Sequence, residues 1–370
     1  MVSLKERIEK IIYQVKEQCL AYVVQGTDGF YEFLDPIDKV PIRTHYSATH
    51  FSTGLLLSSL RGNDTSKLGI AIDILDGVLA RWNIDSVLPD FHFDFNNFAL
   101  CVFYDTLSKY EGYENYLDRI KEAVLDSKDS DHETINWLPM RIVVNRYRYE
   151  WTKKDKYRKK CMKLYKIIKS AEYDDGFFDD RLPKGISFNL QYDIATVALL
   201  QFMRCKGADI NLGKNISTLF YAEASDGDIN YIGRGTNQIF AWGMWIYLLS
   251  SSAQFGELDN ALHYLEMYLP QMLINENLML NEFPGQEKVL WWDYHHSSVY
   301  IAHFYMWLEL ALRDFGKCTI QVEPTEHHDS GITVYKTDKF FLTKFSGRSQ
   351  YLCERGPIVS ALGTRKHGMI

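Results

Sequence analysis

Six short stretches of this 370-residue chain hold the side chains best suited to chemistry. They are Thr44–His50 (THYSATH), Asp90–Asn97 (DFHFDFNN), Asn136–Arg141 (NWLPMR), Asn189–Asp193 (NLQYD), Gly233–Gln238 (GRGTNQ) and Trp291–His296 (WWDYHH). Their His, Tyr and Asp residues suit proton transfer, and their Trp and Tyr rings are flat apolar faces with polar tips. Asn, Asp and Thr are common helix caps, but capping does not account for the Trp, Tyr and His. Asp293-Tyr294-His295-His296 is the richest in proton-transfer groups. The loop from Ala224 to Gln238 sets glycines around Arg234, which lets a tightly turned backbone carry a cation into a cleft. The spacings of His45 with His50, and of His295 with His296, match no zinc pattern, so no metal and no other cofactor is expected. The pair His327-His328 lies in a polar connector and reads as exposed.

Each stretch precedes an apolar segment of helical length, and those segments position the chemistry. Apolar spacing predicts about twelve helices, from Leu4–Val24 to Ser297–Phe315. Alternate helices differ in kind. DKYRKKCMKLYKIIKSAEY (155–173) is charged and amphipathic, whereas IFAWGMWIYLLSSSA (239–253) is apolar on every side and must be buried on every side. Exposed helices alternating with buried ones imply an outer ring around an inner ring, repeating about every 50 residues. Six hairpins that close make an (α/α)6 toroid; the same hairpins stacked in a row make an open α-solenoid. The toroid is the expected fold. Its inner helices run parallel, so the six stretches and the positive ends of six helix dipoles meet at one mouth, which favours an anionic ligand. From about Cys318 the pattern changes. GITVYKTDKFFLTKF (331–345) and SQYLCERGPIVSAL (349–362) read as antiparallel strands. The expected division is a toroid over 1–316 and a short β extension over 317–370, possible as the start of a β-sandwich.

The formal net charge of −7 argues against nucleic acid as the partner, because phosphate binding needs a basic surface. Aromatic residues at 14% suit carbohydrate contact as well as a large helical core. The cysteines at 19, 101, 161, 205, 318 and 353 form no CxxC pair and read as reduced core residues. The first residues alternate charge with apolar positions, unlike a signal peptide, and no stretch is apolar enough to span a membrane. A cytoplasmic location is therefore expected. Oligomeric state leaves no trace in the sequence.

The run Asp226-Gly227, Tyr231, Gly233-Arg234 and a polar stretch opening an apolar helix resembles the heparinase II/III, alginate-lyase and chondroitin-lyase group of toroid polysaccharide lyases. His328-Asp329-Ser330-Gly331-Ile332-Thr333-Val334 is similar to the point where those enzymes begin their β-sandwich. Where the group often carries a Tyr after Gly-Arg this chain has Asn237-Gln238, and its Asn-Asn-His stands here as Asn96-Asn97-Phe98. The resemblance implies β-elimination on a uronate-containing oligo- or polysaccharide, an anionic partner. Removing the proton α to a carboxylate requires that its charge be neutralised, a task for Arg234, Asn237 and Asn97. Tyr231, Tyr294 and His295 are the candidate bases and acids. His45, His50, Gln191, Tyr192, Trp291 and Trp292 are candidate substrate contacts. Two other readings stand beside it. A toroid glycoside hydrolase needs two carboxyl groups across the cleft, and Asp94, Asp193 and Asp293 are placed to supply them. A non-catalytic carbohydrate-binding protein would keep Trp291, Trp292 and Tyr192 as platforms without turnover.

Overall fold

The computed structural model describes residues 2–36, 38–85, 91–131, 134–185, 189–224, 226–231, 239–274, 277–278, 297–324, 329–336, 340–345, 358–364 and 368–369. Twelve α-helices fall among them. The outer set is α1 (Leu4–Leu20), α3 (Thr65–Asp85), α5 (Glu114–Asp126), α7 (Asp155–Ser170), α9 (Gly213–Ala222) and α11 (Phe255–Tyr268). The inner set is α2 (Ser47–Gly62), α4 (Phe93–Leu107), α6 (Leu138–Thr152), α8 (Leu190–Cys205), α10 (Ile239–Ser251) and α12 (Ser297–Arg313).

Patterning decides which layer each helix joins. In α1 a capping box between Ser3 and Glu6 starts the helix, and Ile8, Ile11, Ile12, Val15 and Cys19 form its one buried stripe. In α7 only Leu164 and Ile168 are buried. By contrast every residue of α10 is buried, and Trp242, Trp245 and Trp307 are among the largest side chains wholly inside. Neighbouring inner helices pack in order from α2 to α12, and α12 packs back on α2. That last contact closes the ring, so the architecture is the toroid and not the open solenoid. The outer helix α1 completes the circuit by packing on α12 and α11.

Closure depends on two glycines. A Cβ on Gly54 of α2 would lie 2.7 Å from a ring carbon of the fully buried Tyr305 on α12. A Cβ on Gly243 of α10 would lie 3.0 Å from the Phe304 backbone, on the same helix. The closing helix is thus received on both sides where no side chain intervenes. Helix propensity alone makes Gly54→Ala stabilising by about 1 kcal/mol. The close approach reverses the sign, and overpacking should destabilise by about 1–3 kcal/mol. Urea denaturation of Gly54→Ala reads that sign, and a stabilised variant would remove this account of closure.

Strands β1 (Val23–Gln25) and β2 (Tyr31–Phe33) pair antiparallel as a small hairpin after α1. The sequence pattern extends the first helix to Val24; the structure ends it at Leu20. Three-residue strands are too short to display alternation, and the turn between them uses Gly29 at φ +89°. The short pair β3 (Leu273–Ile274) and β4 (Asn277–Leu278) follows α11. At the end of the chain, β5 (Ile332–Lys336), β6 (Phe340–Phe345), β7 (Ile358–Thr364) and β8 (Gly368–Met369) form one antiparallel sheet in that order. The sheet packs on the toroid: Val334 N–H donates to Tyr221 Oη at 2.9 Å, and Ser330 N–H donates to Asp175 Oδ2 at 3.0 Å. No helix among the described residues is long and apolar enough to cross a membrane.

Candidate functional site

The chain enters α2, α4 and α6 through Tyr46, His92 and Trp137, aromatic N-cap residues whose side chains do not cap their own helices. Ser, Thr, Asp or Asn would normally satisfy the first-turn N–H groups there. These three helix starts lie together. The rings of His45 and His92 stack at 4.1 Å, and His92 lies 5.4 Å from Trp137. Tyr46 stacks on Phe95 at 4.2 Å, and Trp137 meets Phe95 edge-on at 5.1 Å. Asn96 ties the first two helices: its Nδ2 donates to the His45 and His92 carbonyls, and its Oδ1 accepts from Thr49 Oγ1 at 2.8 Å. His45, His92 and Trp137 are half-buried, so this imidazole and indole surface meets solvent. Beneath it, His50 meets Tyr46 edge-on at 4.6 Å and His303 of α12 at 5.0 Å, and His303 stacks on Phe240 of α10 at 4.1 Å. Five of the six inner helices therefore contribute to one mouth.

Three buried carboxyl groups stand in the first turns of α4 and α8 or in the loop before α8. Asp94 on α4 pairs with Arg141 on α6 at 2.8 Å and accepts from Ser130 N–H. Burial pushes Asp94 up to about 6, with Arg141 opposing. Asp193 on α8 accepts from Phe178 N–H at 2.9 Å, and burial holds it far above the usual carboxylate range. Asp180, in the loop before α8, accepts from the backbone and side-chain N–H groups of Asn136, next to Trp137. Burial pushes it up to about 7, and its Oδ2 has no hydrogen-bond partner among the described residues. A carboxyl group in that state can hold a proton near neutrality and give it up.

The expected residues fall into three groups. His45 and His50 belong to the mouth cluster, while half-buried Tyr192 and buried Gln191 open α8. Asn97 and Tyr231 are not brought to the cluster. Asn97 accepts from Ser127 Oγ, at the end of α5, at 3.0 Å. Tyr231 is buried, and its hydroxyl donates to the Ala222 carbonyl and meets Thr343 Oγ1 of β6. Burial raises that phenol, which keeps it protonated near neutrality in this position. Arg234, Asn237, Trp291, Trp292, Asp293, Tyr294, His295 and the pair His327-His328 lie wholly or in part outside the described residues. Residue-level reading overlooked Asp180 and His303. Asp180 is half of a visible Asp179-Asp180 tandem but lies nine residues before Asn189, and His303 sits inside a helix with no local signal.

Both ring nitrogens of His50 and of His303 lack hydrogen-bond partners among the described residues. Burial drives His50 down to about 3 and His303 well below its ordinary value. An imidazole that titrates near 6.5 unfolded and about 3 folded binds protons preferentially in the unfolded chain. Its contribution to stability is full above pH 6.5 and falls as pH drops toward 3. Asp180 and Asp94, raised on folding, act in the opposite direction between about pH 4 and 7, so the observable is a difference between variants. Relative to His50→Phe, the wild-type chain should lose about 2 kcal/mol between neutral pH and pH 5. Parallel denaturation curves at the two pH values check this, and equal pH slopes would mean His50 is not held neutral.

No protein-family model and no curated protein sequence matches this chain. Solved structures do. The α-1,6-mannanase GH76A from Salegentibacter sp. HEL1_6 is 13% identical with TM-score 0.55, covering 84% of this chain and 99% of that one. A polysaccharide lyase is 13% identical with TM-score 0.54, covering 84% and 98%. The unsaturated glucuronyl hydrolase from Streptococcus agalactiae is 16% identical with TM-score 0.54, covering 86% and 93%. At this identity the likeness establishes the fold, the (α/α)6 toroid, in company with carbohydrate-active hydrolases and a lyase.

Proposed function

We propose that the chain cleaves a uronate-containing oligo- or polysaccharide by β-elimination at the mouth of the inner ring. The observation that carries this reading is the meeting of two helix N-termini without side-chain caps, those of α2 and α4, with Trp137 at a half-buried histidine and tryptophan surface. Helix N-termini favour anions, and a flat indole or imidazole face suits a sugar ring, so one mouth serves both halves of a uronate. In the reaction a base takes the proton α to the carboxylate, and a carbon–carbon double bond forms. The glycosidic carbon–oxygen bond breaks, and an acid returns a proton to the departing oxygen. Arg234 and Asn237 neutralise the carboxylate in this scheme, and Tyr294 or His295 moves the protons. Tyr231, bonded to Ala222 and Thr343, then positions the segment before α10 against β6.

Hydrolysis is the second reading, and Asp180 favours it. It is a proton-holding carboxyl group with one oxygen unpartnered among the described residues, and it lies in a tandem with Asp179. Replacing two adjacent aspartates inactivates the Salegentibacter mannanase. One assay separates the readings. Incubation with polyuronates and glycosaminoglycans should yield products that absorb in the ultraviolet through the new conjugated double bond. New reducing ends without that absorbance would establish hydrolysis, and no product from any glycan would leave a binding protein.

A further inference from the structure

A groove of about 570 Å³ runs beside the mouth, between α6, α7 and the loop residues Asp131, Thr134, Arg181 and Leu182. Its walls include Lys160, Lys163 and Ile167 of α7 with Arg181 and Leu182. The charge there runs against the composition. The chain as a whole carries −7, yet α7 has one acid, Asp155, against six lysines and Arg158. Lys160 pairs with Asp129 at 2.5 Å, whereas exposed Lys163 and Arg181 make no ion pair with any described residue. Asp131 is the one acid lining the groove among the described residues. Leu182 is 43% exposed and adds apolar surface beside the cations.

The groove and the mouth are continuous along the chain. Leu138, in the groove, follows Trp137 of the mouth, and Arg181 follows Asp180, whose carboxylate holds Asn136. We infer that the groove is a second glycan-binding subsite for the anionic residues of a chain extending out of the mouth. Lys163 and Arg181 meet carboxylate or sulfate groups, and Leu182 with Ile167 meets the apolar faces of the sugars. This inference rests on the anionic-glycan reading of the mouth and adds a direction to it: substrate runs toward α7. It also makes recognition depend on chain length.

The test compares octasaccharides with disaccharides from chondroitin sulfate, alginate and polygalacturonate, by calorimetric binding and by turnover. Lys163→Glu with Arg181→Glu should weaken octasaccharide binding about tenfold or more and leave the disaccharide unchanged. Lys156→Glu with Lys159→Glu, on the same helix but outside the groove, should have little effect. Equal losses in the two double variants would reduce the effect to general charge and overturn the subsite. So would an octasaccharide that binds wild type no better than its disaccharide, or tighter capture of polyphosphate or anionic lipid vesicles. Loss of octasaccharide binding without unsaturated product from any glycan would keep the groove and sink the lyase. Unsaturated product with no groove effect would do the reverse.

Discussion

Arg141→Met should cost the fold about 3–5 kcal/mol, the usual penalty for stranding one member of a buried ion pair. The side chains of Arg141 and Asp94 are 7% and 1% exposed, and the guanidinium Nε lies 2.8 Å from Asp94 Oδ2. Without it Asp94 keeps, among the described residues, only the Ser130 N–H at 3.3 Å. Already raised by burial, the carboxyl group would rise further and fold neutral or not at all. A folded carboxyl raised above its unfolded value costs stability as pH climbs, so the defect should be worse at pH 8 than at pH 5. Asp94→Asn in the same chain removes the stranded charge and should recover much of the loss. Chemical denaturation of the single and double variants decides it. A single variant within about 1 kcal/mol of wild type would mean that water reaches the pair and that it does not hold α4 to α6.

The consequence reaches the mouth because α4 and α6 carry His92, Phe95 and Trp137. The pair is also where sequence reading was half right. Asp94 stands out as a carboxyl group before an inner helix, and it sits one step on, in the first turn of α4. Its partner Arg141 is forty-seven residues away, and no spacing rule links two residues on neighbouring inner helices. The same limit explains Asn96 and Asn97. Adjacent helix positions point about 100° apart, so one asparagine joins α2 to α4 and the other turns to Ser127. Choosing between them requires knowing which side of α4 faces α2. What did read clearly was collective. The alternation of amphipathic helices with helices apolar all round is a burial pattern, and burial on all sides admits few arrangements other than an inner ring. Closure was open to either architecture, because a solenoid buries the same helices; only α12 against α2, through Gly54 and Tyr305, decides it.

Arg234→Lys should reduce turnover on a uronate substrate about 10²–10³-fold while leaving the melting curve nearly unchanged. The reason is the shape of the charge. When the proton α to the carboxylate leaves, negative charge spreads over both carboxylate oxygens, and a guanidinium can donate to both at once. Lysine carries the same charge as a single ammonium and lacks that planar fork, so charge conservation should not rescue the reaction. Losing one such preorganised contact costs about 2–4 kcal/mol of transition-state stabilisation, which is the rate loss stated above. Because the contact strengthens only as charge develops, kcat should fall more than KM rises. The experiment is kinetics of Arg234→Lys and Arg234→Ala on a uronate oligosaccharide, read by product absorbance, with thermal denaturation alongside. An arginine that merely decorates the surface predicts near wild-type rates in both variants, and that result would remove Arg234 from the site. Full activity in the lysine variant with loss in the alanine variant would leave a cation requirement, met by any positive charge, and would withdraw the two-donor neutralisation on which the elimination scheme depends.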